Sequence, residues 1–184
     1  AACLLGAPAV EPITVFLGSA GLTGLFVALS LQRRGSHYVV LGIAAAIWTA
    51  SNIFWAAGWS GTDLLPWWGS FLLWGVVGLR LELATVQRPG RTALAWLSLP
   101  LVATILGLGL SSLDSEWGLR TIGVGFAGLA LWLAIFDIAR DAVRAPGLTG
   151  FIGTSLLSGF AWLSIAGWSM IATRHPDGPL VATG

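Results

Sequence analysis

The sequence predicts an all-α protein, a multi-pass bundle of about six transmembrane helices. Of its 184 residues, 56% are hydrophobic and only 9% are charged, and the mean hydropathy is +0.85. Soluble domains carry about 25% charged residues. A core of this size cannot bury so much apolar surface, so we expect most of the chain to be surrounded by lipid. The apolar runs contain glycine throughout and do not alternate as the strands of a membrane β-barrel do.

The predicted spans follow the apolar runs in chain order. They cover residues 12–31, 38–59, 65–86, 92–110, 118–137 and 147–173. Each run holds roughly 20 residues, which at ~1.5 Å per residue cross a hydrocarbon core ~30 Å thick. Pro100 is expected to kink the fourth helix. The fifth helix is expected to continue through residues 138–144 until Pro146 stops it.

Arginine placement predicts how the chain is oriented. The first, third and fifth connections carry arginines, within residues 32–37, 87–91 and 138–147. The second carries none, and the fourth carries only Arg120 at its edge. Because cytoplasmic loops are enriched in arginine and lysine, the three odd connections should be cytoplasmic and both ends of this chain periplasmic. The tryptophans expected at the outer interface agree with this orientation: Trp59, Trp67, Trp68, Trp117 and Trp168.

Basic residue usage indicates the kind of membrane. All nine basic residues are arginine and none is lysine, which is typical of a GC-rich bacterial genome. We therefore expect a bacterial cytoplasmic (inner) membrane protein. Its predicted partner is the lipid bilayer, with homo- or hetero-oligomers within the membrane left open. The net charge of +1 argues against a nucleic-acid partner.

Arg80 is the most unusual residue of the third span. It follows Pro66 by 14 residues, which places it about 21 Å down the helix, in the inner third of the bilayer. An arginine at such a depth costs at least ~2.5 kcal/mol if it has no partner. One interpretation pairs it with Asp137 at the inner end of the fifth span. The alternative lets Arg80 reach the inner headgroups while Asp137 pairs with Arg140.

Glu82 points to nearly the opposite side of the same helix from Arg80. It shares its face with Phe71, Gly75 and Gly78, so we expect that face to pack against another helix. The functional interpretation is a proton or cation site. The structural interpretation, which we favour, is a buried pair with an arginine such as Arg88 or Arg140.

Two further features predict helix packing. Asn52 lies inside the second span and requires a partner on another helix. We expect it to hold the helices together rather than to bind a ligand. Gly18, Gly21 and Gly24 share one side of the first span, where they would let a neighbouring helix approach closely. We expect one transmembrane domain over residues 1–184, or a portion of a longer polytopic protein.

The sequence contains no recognisable catalytic constellation, which favours a non-enzymatic role. Its two histidines, His37 and His175, fall in predicted turns on opposite sides of the membrane, so they cannot share one metal. The single cysteine, Cys3, excludes an intrachain disulfide. No cofactor is assigned from these residues.

Three segments, residues 75–83, 131–140 and 146–167, resemble uncharacterised bacterial polytopic membrane proteins related to the NnrS family of haem–copper membrane proteins. Arg80, Glu82 and Asp137 match that pattern, whereas Leu79 stands where the family has an acid. In the family, histidine-bearing helices follow the third segment. The resemblance therefore implies that any haem or metal ligands lie outside this chain or have been lost.

Three functional hypotheses follow. The first is an NnrS-like inner-membrane protein of a haem- or nitrogen-oxide-related system. The second is a small-solute or ion transporter in which Arg80, Glu82 and Asp137 line a path. The third is an accessory subunit that packs against a larger membrane complex through its tryptophan and glycine faces.

Overall fold

The computed structural model describes residues 10–33, 35–83, 91–137 and 139–172. These residues form seven α-helices and no strands: α1 (Val10–Arg33), α2 (Ser36–Ala56), α3 (Gly61–Leu83), α4 (Arg91–Ser111), α5 (Ser115–Phe136), α6 (Ala139–Ala142) and α7 (Leu148–Ala172). All but α6 are long and apolar enough to cross a membrane, so six candidate spans confirm the predicted fold class. The chain divides into two compact units, residues 1–87 and 88–184, here called the N-terminal and C-terminal units.

In the N-terminal unit, α2 lies between α1 and α3 and contacts both. Its small residues bring the helices close together. A Cβ placed on Gly42 would lie 3.6 Å from Phe26 Cβ on α1, and one placed on Gly78 of α3 would lie 2.6 Å from Leu41 Cδ2. An alanine at Gly78 would therefore displace Leu41, so the absence of a side chain there sets the α2–α3 distance.

The turn between α2 and α3 is a Schellman motif built around Gly58. The Gly58 N–H donates to Trp55 O (3.0 Å), and the Trp59 N–H donates to Phe54 O (3.1 Å). Gly58 has φ +93°, a left-handed conformation that glycine adopts without the steric cost of a Cβ. The Trp59 ring stacks on Phe54 with centroids 4.5 Å apart, which is the hydrophobic contact that accompanies this motif. Trp59, predicted to end the second span, thus lies beyond its C-terminus.

In the C-terminal unit, α5 is the central helix and contacts α4, α6 and α7. Glycines on different faces of α5 allow these approaches. A Cβ on Gly125 would meet Thr104 Oγ1 and Pro100 O of α4, and a Cβ on Gly123 would lie 2.6 Å from Gly167 O of α7. Close backbone approach through small residues is the usual way in which membrane helices associate.

The α4–α5 turn is closed by Asp114. Its side chain accepts hydrogen bonds from the N–H groups of Glu116 (2.9 Å) and Trp117 (3.1 Å), which caps α5. The helix consequently begins at Ser115, three residues before the predicted start of the span. Arg120, the edge residue of this connection, pairs with Glu116 one turn earlier and lies 5.3 Å from the Trp117 ring centroid.

The fifth span does not continue as the sequence predicts. Helix α5 ends at Phe136, Asp137 is extended (φ −81°, ψ 148°), and α6 follows as a single turn. The prediction of an uninterrupted helix through residues 138–144 is therefore wrong. The cause is local, because the Asp137 side chain hydrogen-bonds the backbone that follows it and so stabilises a break.

Candidate functional site

A polar seam joins α1 to α2 within the candidate spans. Asn52 Nδ2 donates to Ser19 Oγ at 3.0 Å, and the hydroxyls of Thr23 and Thr49 lie 2.9 Å apart. Ser19 is fully buried, and Asn52 is nearly so. Asn52 thus has the interhelical contact that its position requires. These polar groups bond to each other and hold α1 and α2 in a defined relative orientation, as expected of polar contacts between membrane helices.

Aromatic side chains fill the contact between α2 and α3. Trp48 stacks on Phe71 with centroids 5.0 Å apart, and Phe54 meets Trp67 edge-on at 4.8 Å. Trp74 is fully buried, and the indole N–H groups of Trp67 and Trp74 have no hydrogen-bond partner within the described residues. Trp67 was expected at the outer interface, and its burial between helices, like that of Trp74, was not predicted.

The inner end of α3 carries Arg80 and Glu82. Arg80 is half-buried, whereas Glu82 is exposed one residue before the helix ends at Leu83. Gly78, on the face that Glu82 shares, packs against Leu41 of α2, and the packing of Glu82 itself stays a prediction. The contacts Trp48–Phe71 and Leu41–Gly78 set the register, and they place Glu82 level with the first turn of α2, where the neighbouring helix is only beginning.

The predicted Arg80–Asp137 pair would join residues of the two units, which are described separately. This pair stays a prediction. The alternative, in which Asp137 pairs with Arg140, and the pairing of Glu82 with an arginine also stay predictions. Arg88, one of the proposed partners of Glu82, lies outside the described residues. Arg140 is exposed on α6.

Asp137 has a structural role in the C-terminal unit. Its Oδ1 accepts the Ala139 N–H at 2.8 Å, and its own N–H donates to Leu133 O at 2.9 Å. This side-chain-to-backbone bond two residues on is the Asx geometry by which aspartate favours turns. Asp137 therefore ends α5 and starts α6.

Two glycines of α7 complete this break. Gly150 lies against Ala145 O, and Gly153 lies against the backbone of Ala142 and Val143, so a side chain at either position would clash. We call Asp137, α6 and these two glycines the α5–α7 corner. It lies where residues 131–140 are followed by residues 146–167, two of the segments for which an NnrS-like resemblance is predicted.

An apolar groove runs between α4 and α5 in the C-terminal unit, with a volume of about 390 Å³. Its walls are almost entirely apolar: Trp96, Leu99, Pro100, Ala103, Val124, Gly128, Leu131, Trp132, Ile135 and Phe136. The Trp132 ring is held in place because its Nε1 donates to Ala93 O at 2.8 Å. Pro100 was expected to kink α4, but the groove itself depends on which faces of two apolar helices meet and is not predicted by the sequence.

The histidines give no metal site in the described part of the chain. His37 lies in the first turn of α2, with its ring 4.0 Å from the Tyr38 ring. His175 lies outside the described residues. Among the residues that the structure describes, no cluster of three or more histidine, cysteine, aspartate or glutamate side chains could hold a metal ion.

Comparison with known families adds one finding. A family model described as a domain of unknown function (DUF8744) matches residues 1–182. The chain belongs to the DUF8744 family. No curated protein and no solved structure matches the chain. The six spans, the polar seam, the α5–α7 corner and the groove are thus features of a DUF8744 chain, while the NnrS resemblance remains a prediction.

Proposed function

We propose that this DUF8744 chain is a helical scaffold of the bacterial inner membrane that works within an NnrS-like, haem- or nitrogen-oxide-related system. The observation that carries the proposal is the α5–α7 corner. Asp137 of the second resembling segment starts the turn there, and Gly150 and Gly153 of the third lie against residues 142–145, which connect the two segments. Asp137, one of the residues that match the family pattern, shapes this turn, which supports a resemblance that goes beyond apolar composition.

In this proposal the polar groups of the spans hold helices together, and haem ligands come from histidine-bearing helices outside the chain. The polar seam supports the first point, because Asn52 and Thr49 each reach a partner on α1.

The test is the absorbance spectrum of the full-length natural protein, purified in mild detergent from a bacterial host supplied with haem. A Soret band that is lost when downstream histidines are replaced, while the protein still inserts, supports the proposal. A full-length protein without haem, in a host that loads other haem proteins, contradicts it.

A transporter is the second candidate, and the two-unit division favours it. Each unit contributes three candidate spans. Transporters built from inverted repeats include halves made of two three-helix units. In this alternative Arg80, Glu82 and Asp137 line the path.

Proton flux into liposomes tests the transporter. Vesicles loaded with a pH-sensitive dye and containing the purified protein are given an imposed membrane potential. The transporter predicts a flux above that of empty vesicles, lost in Glu82→Gln and in Arg80→Ala but kept in Glu116→Gln, whose carboxylate pairs with Arg120 in the first turns of α5. A flux equal to that of empty vesicles rejects a proton path.

An accessory-subunit role is favoured by the outer faces. Trp96, Trp162 and Trp168 are each more than 60% exposed. Gly18, Gly21 and Gly24 have no neighbour within 4 Å of a Cβ in the described part of the chain. The close approach expected along this glycine stripe is thus not made by any described helix. A stoichiometric partner that copurifies and is lost in Gly21→Leu would support this role, and a monodisperse single-chain species in native membranes would oppose it.

A further inference from the structure

We propose that the outward face of α7 is the surface through which two copies of this chain pair in the membrane. Helix α7 buries Gly153, Phe160 and Gly167, at intervals of seven residues, within the C-terminal unit. The residues on the opposite side are exposed and recur at spacings of three and four, and we call them the α7 stripe: Leu148, Phe151, Ser155, Ser158, Trp162 and Ile165. Their spacing is that of the contact line between two helices that wind around each other.

Trp162 makes the α7 stripe unsuited to lipid. Ser155, on the same stripe, satisfies its hydroxyl within the helix by donating to Phe151 O at 2.9 Å. An indole N–H is a donor only, on a ring too large to turn back onto the carbonyls of its own helix. Trp162 is 68% exposed, so its N–H would lie in hydrocarbon, where a donor without an acceptor is costly.

Trp162 also lies too deep in the span for a tryptophan that faces lipid. It is 14 residues from the start of α7 and 10 from its end, about 21 Å and 15 Å along the helix axis. Tryptophans that face lipid are concentrated at the two interfaces, where the N–H meets water or headgroups. Trp168, four residues before the end of α7, is in such a position. A neighbouring helix therefore covers Trp162 and supplies an acceptor.

Complementary partial charges identify the occupant as a second copy. Two copies inserted with the same topology present α7 in parallel, and a two-fold axis along the membrane normal brings equal residues to equal depth. Because helical side chains point back toward the N-terminus, Trp162 then packs in a hole that includes the partner's Ser158. The partly positive indole N–H meets a partly negative hydroxyl oxygen, and the two-fold axis makes this contact twice.

The α7 stripe also has room for the indole of the other copy. Ser158 and Gly159 are exposed on the turn that precedes Trp162, and a Cβ on Gly159 would have nothing within 4 Å in the described part of the chain. Small residues let membrane helices approach closely. In the middle of α4, by contrast, the exposed large side chains are aliphatic, as lipid contact requires: Leu99, Val102, Ile105 and Leu106.

Energy transfer between copies in liposomes tests the pairing. Chains labelled with donor or acceptor at Ser60→Cys, in a Cys3→Ser background, are mixed at increasing lipid dilution to give the dimer dissociation constant. We expect Trp162→Leu to raise this constant about tenfold, because two equivalent indole contacts are lost in each dimer. Trp168→Leu is the matched control. It makes the same change at an exposed position of α7, about 120° around the helix, and should leave the constant unchanged.

Disulfide cross-linking in native membranes locates the contact. In a Cys3→Ser background, Ser158→Cys should give a species of twice the mass of the chain on oxidation. Val102→Cys is the control and should not cross-link, since Val102 is exposed 11 residues into α4 as Ser158 is exposed 10 residues into α7.

Energy transfer no greater than that of a monomeric membrane protein would overturn the pairing. Equal dissociation constants for Trp162→Leu and Trp168→Leu would overturn the role of the α7 stripe. Cross-linking of Ser158→Cys to a different polypeptide would show that the occupant is another subunit and overturn the assignment of a second copy.

Discussion

At the scale of single residues, the chain satisfies polar groups in an apolar environment by local and interhelical hydrogen bonds. Ser51, Ser70 and Thr104 are fully buried, and each donates its hydroxyl to a carbonyl of its own helix three or four residues earlier. Asn52 cannot satisfy its amide in this way and reaches Ser19 on α1 instead. The residue type therefore decides whether a polar group stabilises one helix or joins two.

Asn52→Ala should lower the free energy of unfolding by about 0.6–1.7 kcal/mol, the range for interhelical hydrogen bonds in membranes. The loss is modest because Ser19 still donates its hydroxyl to Phe16 O. Ser51→Ala is the matched control, since that buried hydroxyl bonds only within α2 at 2.7 Å from Trp48 O. Unfolding in a titration from mild detergent into dodecyl sulfate measures both. A larger loss for Ser51→Ala would contradict the role of the seam.

Gly125→Ala should lower the free energy of unfolding by about 1–3 kcal/mol, the usual cost of overpacking. The added Cβ would overlap Thr104 Oγ1 and lie 3.0 Å from Pro100 O, so α4 and α5 must separate. Gly109→Ala is the control, because a Cβ there has nothing within 4 Å in the described residues. It should be neutral or stabilising by up to ~1 kcal/mol through helix propensity. Equal thermal stability of the two variants would show that α4 and α5 do not pack through Gly125.

At the scale of elements, the α5–α7 corner shows why a helix can end without proline or glycine. Asp137 ends α5, while Pro146 and Gly147 (φ +70°) come after α6. The carboxylate stabilises the extended conformation by bonding the Ala139 N–H. Asp137 is also the predicted ion-pair partner of Arg80. The two roles differ in what they require, because the hydrogen bond needs only an oxygen acceptor, whereas the ion pair needs the negative charge.

Asp137→Ala should destabilise the corner by about 0.5–2 kcal/mol, the range for a lost capping side chain. Asp137→Asn distinguishes the two roles because it keeps an acceptor but removes the charge. Hydrogen exchange at the Ala139 amide is the measurement. If the hydrogen bond dominates, exchange accelerates in Asp137→Ala and stays slow in Asp137→Asn. If the ion pair dominates, both variants and Arg80→Gln destabilise the protein alike.

At the scale of the whole molecule, six spans place successive connections on alternate sides of the membrane. The arginines predict which side each connection is on. The described turns fit the expected outer side in composition. The α2–α3 turn carries Ser60 and Asp63, and the α4–α5 turn carries Asp114 and Glu116, which pairs with Arg120. A net excess of arginine is thus confined to the odd connections. For the third connection, residues 87–91, this statement rests on the sequence, because residues 84–90 lie outside the described part of the chain.

Cysteine labelling in intact cells tests this orientation. In a Cys3→Ser background, Ser60→Cys and Ser112→Cys should react with a membrane-impermeant maleimide added outside. Gln32→Cys, exposed at the inner end of α1, should react only after the membrane is permeabilised. All three native side chains are exposed, so access depends on side alone. Labelling of Gln32→Cys in intact cells would invert the predicted topology.

The sequence by itself determined the class of this protein and the positions of its six spans to within a few residues. This was possible because the thickness of the bilayer sets the length and hydropathy of a span, regardless of which helices it contacts. The same reasoning predicted that Asn52 needs a neighbour, because a buried amide is costly without one.

Only the tertiary structure decided which helices are neighbours and what lies between them. Apolar helices expose similar side chains all round, so the sequence does not indicate that α2 and α5 are central, or that Trp96 and Trp132 line one groove. The end of α5 at Asp137 was missed for a related reason. An aspartate at the end of an apolar run is compatible with an ion pair or with a turn, and only the position of the following backbone distinguishes them.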